Sequence, residues 1–178
     1  MILQVDDRIL LQAAQDGDPD AFEALVRRHQ AAVYRVALRM LGSEADAQDA
    51  TQESFVRAWR GLERFRRESA VSTWLYRIVT RRCLDAIAAR RPTEALHQIE
   101  LDAGVDCADT AEQSERLRAV TRAIAGLPGE QRAALVLREF EGLSYDQLAD
   151  VLNTSVPAVK GRIHRARLAV LKQTTAWR

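Results

Sequence analysis

The residues best suited to chemistry in this 178-residue chain lie near its end. From Asn153 to Arg178 the basic side chains are Lys160, Arg162, Arg165, Arg167, Lys172 and Arg178, with no acid among them. Such a stretch favours polyanions, because each phosphate it neutralises adds salt-sensitive affinity. Just upstream, Ser144 precedes Gln147 by three residues, the spacing of a capping box, which opens a short helix over YDQLADVL. Asn153, Thr154 and Ser155 then turn the chain into a longer helix from Val156 to about Thr174. In a helix-turn-helix unit, the second helix enters the major groove with its first residues facing base edges. Leu148, Ala149 and Leu152 match Val156, Val159, Ile163 and Ala166 as the packed side. That leaves Thr154, Ser155, Pro157, Ala158, Lys160, Gly161, His164, Arg165 and Arg167 on other faces. The plainer alternative is a solvated basic surface, but the apolar matching and the single charge sign both favour DNA. A lone histidine on a basic helix reads as a surface or phosphate-facing group, so His164 is given no catalytic role.

Other chemistries find no support. The chain has no Gly-rich phosphate loop, no metal-ligand spacing and no Ser/His/Asp constellation, so neither an enzyme nor a cofactor is expected. Cys83 and Cys107 are only two and far apart, which argues against a disulfide scaffold or a structural zinc site. No run approaches the ~18 apolar residues of a membrane span, and MILQVDDRILL lacks the basic start of a signal peptide; a cytosolic protein without membrane insertion is the expectation. The formal charge of +1 is a cancellation: residues 1–91 sum to +2, 92–115 to −7 and 116–178 to +6. A second basic concentration lies between Arg64 and Arg91, where 8 arginines face only Glu68 and Asp85.

The elements that must position these groups are helices. Glycines number only 8, β-branched runs are scarce, and Ala, Leu, Arg and Glu dominate long stretches. Periodicity and caps predict helices over Asp7 to Gln15, from Pro19 to a stop at Gly42 after the cap Asp18, and from Glu44 to about Leu62 after the cap Ser43. A fourth helix, capped by Ser72 or Thr73, is predicted from Trp74 to about Arg90, ending before Pro92. Periodicity then fades into an acidic, polar stretch that reads as a linker. Helices resume from about Ala111 to Ala125 and from Gly129 to Phe140, on either side of the GLPG turn. The expected fold class is all-α: two small helical domains, 1–91 and 112–178, joined by a flexible acidic linker over 92–111.

LSYDQLADVLNTSVPAVKGRIHRARLAVL, from Leu143 to Leu171, resembles the promoter -35 recognition segment of extracytoplasmic-function sigma factors in the sigma-70 family. DAQDATQESFVRAWRGLERF, from Asp46 to Phe65, is similar to that family's region for gripping core RNA polymerase. STWLYRIVTRRCLD, from Ser72 to Asp85, is similar to its promoter-melting and -10-reading region. The motifs stand in the family's order. The resemblance places core-polymerase binding on Asp46, Asp49, Gln52, Glu53 and Phe55, with Trp59 and Leu62 packing inward. Asp49, Gln52, Glu53 and Val56 recur at three and four residues and so share one helix face. For -10 DNA it points to Phe65, Ser72, Thr73, Trp74, Tyr76, Arg77, Arg81 and Arg82. Aromatic rings beside arginines stack on unpaired bases while guanidinium groups hold phosphates, so melting would be driven by binding. Taken singly, Trp74 and Phe65 each read better as core residues than as base-stacking ones. For -35 DNA it points to Thr154, Ser155, Pro157, Ala158, Lys160, Gly161, Arg162, His164 and Arg165. The chain departs from the family at Arg81, where asparagine is common, at Cys83, where a small apolar residue is usual, and at Gly161, where serine is common.

The resemblance thus implies a non-enzymatic initiation factor that binds core RNA polymerase and promoter DNA, needs no cofactor, and is held in check by an anti-sigma factor. The acidic linker would thread toward the polymerase cleft and RNA exit path. Two other classes fit parts of the sequence. One is a conventional helix-turn-helix regulator acting without polymerase, and the other is a helical adaptor with no DNA function.

Overall fold

The computed structural model describes residues 6–66, 69–90 and 111–175. The expected linker falls outside these residues except at Ala111, as do Cys107 and the chain ends. All regular structure among the described residues is helical: α1 Asp7–Gln15, α2 Pro19–Leu41, α3 Glu44–Gly61, α4 Val71–Ala89, α5 Ala111–Ala125, α6 Gly129–Glu139, α7 Tyr145–Val151 and α8 Val156–Thr175. A 3-10 turn over Leu62–Arg64 follows α3. Among the described residues, no helix is long and apolar enough to cross a membrane.

The local signals act as their chemistry dictates. Asp18 accepts the backbone N–H groups of Asp20 and Ala21 while Pro19 occupies the first turn of α2. That helix stops at Gly42, whose φ of +72° is strained for any residue with a Cβ. Ser43 caps α3 through the Asp46 N–H. At α7 both arms of the capping box form: Ser144 Oγ accepts from Gln147 N–H, and Gln147 Oε1 accepts from Ser144 N–H at 2.8 Å. A cap of this kind contributes about 1 kcal/mol, enough to matter for a seven-residue helix. The turn into α8 passes through Asn153 at φ +46°, a left-handed position that asparagine tolerates better than most side chains.

One start differs from expectation. The fourth helix begins at Val71 after Ala70, which offers no side-chain cap, and not at Trp74 behind Ser72 or Thr73. Val71 and Thr73 are both buried, so the first turn is drawn into the core and the Thr73 hydroxyl is unavailable to the helix end.

Helices α1 to α4 form the first packed unit, with Val33, Val36, Met40, Val79 and Cys83 fully buried between them. Helices α5 to α8 form the second, in which Leu148, Val151, Val159 and Ile163 hold α7 against α8. A smaller cluster, with Ile124, Leu135, Val136 and Ala166, fixes α5 and α6 on the other side of α8. The two units are docked against each other. One apolar cluster runs from α2 and α4 into α6 and α7, and Arg132 crosses the seam. Its guanidinium donates to the carbonyls of Met40, Ala125 and Leu127, supplying the ends of two helices with donors. Burial lowers the Arg132 pKa to about 10, which still leaves it charged near neutrality.

Candidate nucleic-acid interface

Three surfaces gather the residues singled out above. The first is an open groove of about 820 Å³ between α2 and α3. Its floor and walls are apolar, with Phe22, Val26 and Tyr34 from α2 facing Phe55, Val56 and Trp59 from α3, and Gln52 at the rim. Trp59 was expected to pack inward. It is instead 46 % exposed and meets Phe22 in an edge-on ring contact, with centroids 4.9 Å apart. Leu62 does pack, and is buried. Of the acidic positions on α3, Asp49 projects to solvent, whereas Asp46 and Glu53 are committed within the fold: Asp46 pairs with Arg90, and Glu53 with Arg82 and Arg57. The hydrogen bond from Arg82 holds the Glu53 carboxyl below its ordinary pKa. These two acids therefore brace α3 on α4 and take no part in lining the groove. The α2 wall was missed in the sequence, although Phe22 and Val26 share a face at i, i+4 spacing.

The second surface lies at the start of α4. Phe65 and Trp74 stack with centroids 4.5 Å apart and planes 18° from parallel. Beside them a polar pocket of about 530 Å³ is lined by Arg64, Arg66 and Arg77 together with Gly61, Ser69 and Asp150. A flat aromatic pair ringed by guanidinium groups suits an unstacked base and its flanking phosphates. Trp74 is mostly buried, so it is both a core residue and the back of this pocket. Thr73 is buried, Arg82 is turned to Glu53, and exposed Arg81 approaches Asp85 one turn along α4 at 3.3 Å. Ser72 is half-buried on the first turn of α4. Arg64 and Arg66 were not singled out from sequence, although they belong to the same arginine concentration.

Tyr76 and Arg77 continue that face toward the second unit. Tyr76 donates to Glu141 at 2.8 Å, and Arg77 pairs with Asp150.

The third surface is the start of α8. Ser155 Oγ accepts from Ala158 N–H at 3.4 Å, and Ser155, Pro157, Lys160, His164 and Arg165 are exposed in a row down the helix, with Thr154, Ala158 and Gly161 half-buried among them. A Cβ on Gly161 would lie 3.3 Å from the Arg165 guanidinium, so the glycine lets that side chain lie close along the helix. Lys160 sits 5.3 Å above the Tyr145 ring. Arg162 is less open than its neighbours: its side chain is only 17 % exposed and is paired with Glu130 at the start of α6. Exposed Arg167 likewise pairs with Glu139.

Among the described residues, no group of His, Cys, Asp and Glu side chains is arranged to hold a metal ion. Cys83 is buried, and that burial raises its thiol pKa to about 12.

The family model for sigma-70 region 2 matches residues 25–93, and that for sigma-70 region 4 matches residues 117–170. The chain is 38% identical to the RNA polymerase sigma-H factor of Pseudomonas aeruginosa, covering 97% of this chain and 95% of that one. It is 36% identical to the ECF RNA polymerase sigma-E factor of Escherichia coli, covering 94% and 93%. Among solved structures, CnrH in complex with the cytosolic domain of CnrY superposes with a TM-score of 0.74 at 31% identity, over 97% of this chain and 99% of that one. The sigma factor RpoE of Bartonella quintana, solved with the anti-sigma factor NepR, shares the fold at a TM-score of 0.67 and 22% identity, over 88% and 98%.

Proposed function

The chain belongs to the extracytoplasmic-function group of the sigma-70 family, and from that premise we propose how its surfaces divide the work of transcription initiation. As a member it is a non-catalytic subunit that binds core RNA polymerase and directs it to promoters. In our reading, residues 1–91 bind core polymerase and open -10 DNA, residues 112–178 read the -35 duplex, and 92–111 connect them.

The α2–α3 groove is the polymerase contact. Its exposed Trp59 and Val56, flanked by Gln52, form an apolar centre with a polar edge, the anatomy of a protein interface. Asp49 supplies rim charge, while Asp46 and Glu53 keep α3 in place for it. The stacked Phe65–Trp74 pair and the arginines around it receive unpaired -10 bases, so opening draws on binding energy and breaks no covalent bond. The first turns of α8 enter the -35 major groove, with Lys160 and Arg165 available to phosphates or guanine edges. No cofactor enters this scheme.

One observation carries the reading: a single chain holds both a pocket suited to unstacked bases and a helix-turn-helix suited to duplex. A conventional helix-turn-helix regulator has use for the second alone. An anti-sigma factor is the protein regulator we expect, since CnrH, at 31% identity and near-complete overlap, is held by the cytosolic domain of CnrY. Reconstitution with core RNA polymerase tests the proposal. Saturating core with this chain should produce specific initiation on some members of a genomic promoter library, and its absence on every member would refute the assignment.

A further inference from the structure

The turn that carries Phe65 to the pocket beside α4 is gripped by one side chain from α1. Gln15, the last residue of that helix, donates its amide to two main-chain carbonyls, that of Leu62 at 2.9 Å and that of Phe65 at 3.0 Å. Both partners are acceptors, so the NH2 group must be the part that faces them, and its two hydrogens account for both bonds. The acceptors stand at the two ends of the 3-10 turn, which the Phe65 N–H closes on the Leu62 carbonyl at 3.2 Å. One planar amide thus clasps the whole turn across 47 and 50 positions of sequence.

The clasp is needed where it stands. Phe65 has left the helical conformation, with ψ at +108°, and carbonyls at a helix end lack donors from their own helix. Gln15 supplies them from a fixed footing. Leu11 and Ala14 of α1 are buried in the core, and Asp7 at the front of the helix pairs with Arg28 and, at 2.7 Å, with His29 of α2. What the clasp holds is the pocket itself: the Phe65 ring stacks on Trp74, and Arg64 and Arg66 on either side of Phe65 line the cavity.

We propose that Gln15 is a positioning residue for promoter opening, fixing the turn so that Phe65 meets Trp74 with Arg64 and Arg66 at the pocket wall. It acts through the turn and needs no contact with a base. A platform already in place receives an unstacked base without further ordering, whereas a loose turn must be ordered at each opening event. The proposal rests on the -10 reading of this pocket.

Gln15→Met keeps the length of the side chain and removes both donors. The control is Gln12→Met, three residues earlier in α1, where the amide reaches Asp16 and not the turn. Each full chain is assembled with core RNA polymerase and assayed for opening of a promoter that the parent holoenzyme transcribes. If the unclasped turn is stacked only about a tenth of the time, opening by Gln15→Met should fall roughly tenfold. Affinity for core enzyme and -35-dependent closed-complex formation should stay at the parent's level, as should every reading of Gln12→Met. In a free chain whose other tryptophans, Trp59 and Trp177, are replaced by Phe, acrylamide should quench Trp74 more readily once Gln15 is Met.

A melting point that falls while opening and Trp74 quenching match the parent would overturn the proposal, since Gln15 would then only stabilise the fold. Equal losses in core affinity and opening would overturn it likewise. Should Gln15→Met fold poorly, Gln15→Glu keeps the shape without the donors and is read against Gln12→Glu, which adds the same charge to the same helix. Trp74→Ala, run in parallel, separates the two levels of the argument. Opening impaired by Trp74→Ala but not by Gln15→Met would overturn the clasp and spare the -10 assignment, whereas opening indifferent to both would overturn the two together.

Discussion

The phenol of Tyr76, in α4, donates a 2.8 Å hydrogen bond to the carboxylate of Glu141, 65 positions later and beyond the end of α6. Burial, reinforced by that bond and by the charge of Glu141, raises the Tyr76 pKa well above its ordinary value. The phenol therefore stays a neutral donor across the working range of pH. It is the one hydrogen bond the described structure gives to a carboxylate that is almost wholly withdrawn from water.

Tyr76→Phe removes that donor and leaves Glu141 buried without a hydrogen-bonding partner. Stability of the free chain should fall by about 1–3 kcal/mol, the cost of an unsatisfied buried polar group. Adding Glu141→Gln should recover part of the loss, since an amide is cheaper to bury than a charge. Urea denaturation of the two variants and the parent checks both statements.

Trp59→Ala should weaken binding to core polymerase by roughly 30-fold, the effect of an interface anchor worth about 2 kcal/mol. Because the residue is 46 % exposed, the thermal midpoint should change much less than for a fully buried aromatic. Anisotropy titration with core enzyme, beside a melting curve, separates the two effects.

Arg165→Ala and Arg162→Ala should part company. Exposed Arg165 should weaken -35 binding and reduce the slope of log affinity against log salt by about 1, as loss of one phosphate contact does. Arg162 is engaged with Glu130, so its loss should appear as a small drop in stability with an almost unaltered salt slope. An unchanged footprint for Arg165→Ala would remove it from the interface.

Cys83 should be chemically silent in the folded protein. With Cys107 replaced by Ser, a thiol reagent at neutral pH should label Cys83 slowly in native buffer and at once in denaturant, because burial keeps the thiol protonated. Its pKa is raised from 9.0 to about 12, so between those values the unfolded chain gives up a proton that the folded chain retains. Stability is therefore full below about pH 9 and declines as pH rises above it, which equilibrium unfolding at several alkaline pH values will show.

Much of the fold could be read from the chain before any coordinates. Caps, glycines and periodicity placed α1, α2, α3 and the helix-turn-helix almost to the residue, because those signals act within a few residues of backbone. Where a helix start depended on the core, local reading failed: α4 begins at Val71 because Val71 and Thr73 are buried, not because a hydroxyl caps it. The candidate surfaces were legible as regions more than as side chains. Asp46, Glu53, Arg82 and Arg162 have the right types at the right spacing, and each is also ion-paired with a residue outside its own helix, which spacing does not foretell.

The sequence alone determined that this protein is all-helical, carries a basic helix-turn-helix at its end and has no constellation for covalent chemistry. Those properties follow from composition and short-range spacing. Only the tertiary structure decided that Trp59 opens onto a groove, that Arg162 faces Glu130, and that Glu141 and Asp150 close over Tyr76 and Arg77. Periodicity specifies which face of a helix is apolar but carries no record of which distant helix will meet it. Long charged side chains then pair with whatever opposite charge the packing brings within reach.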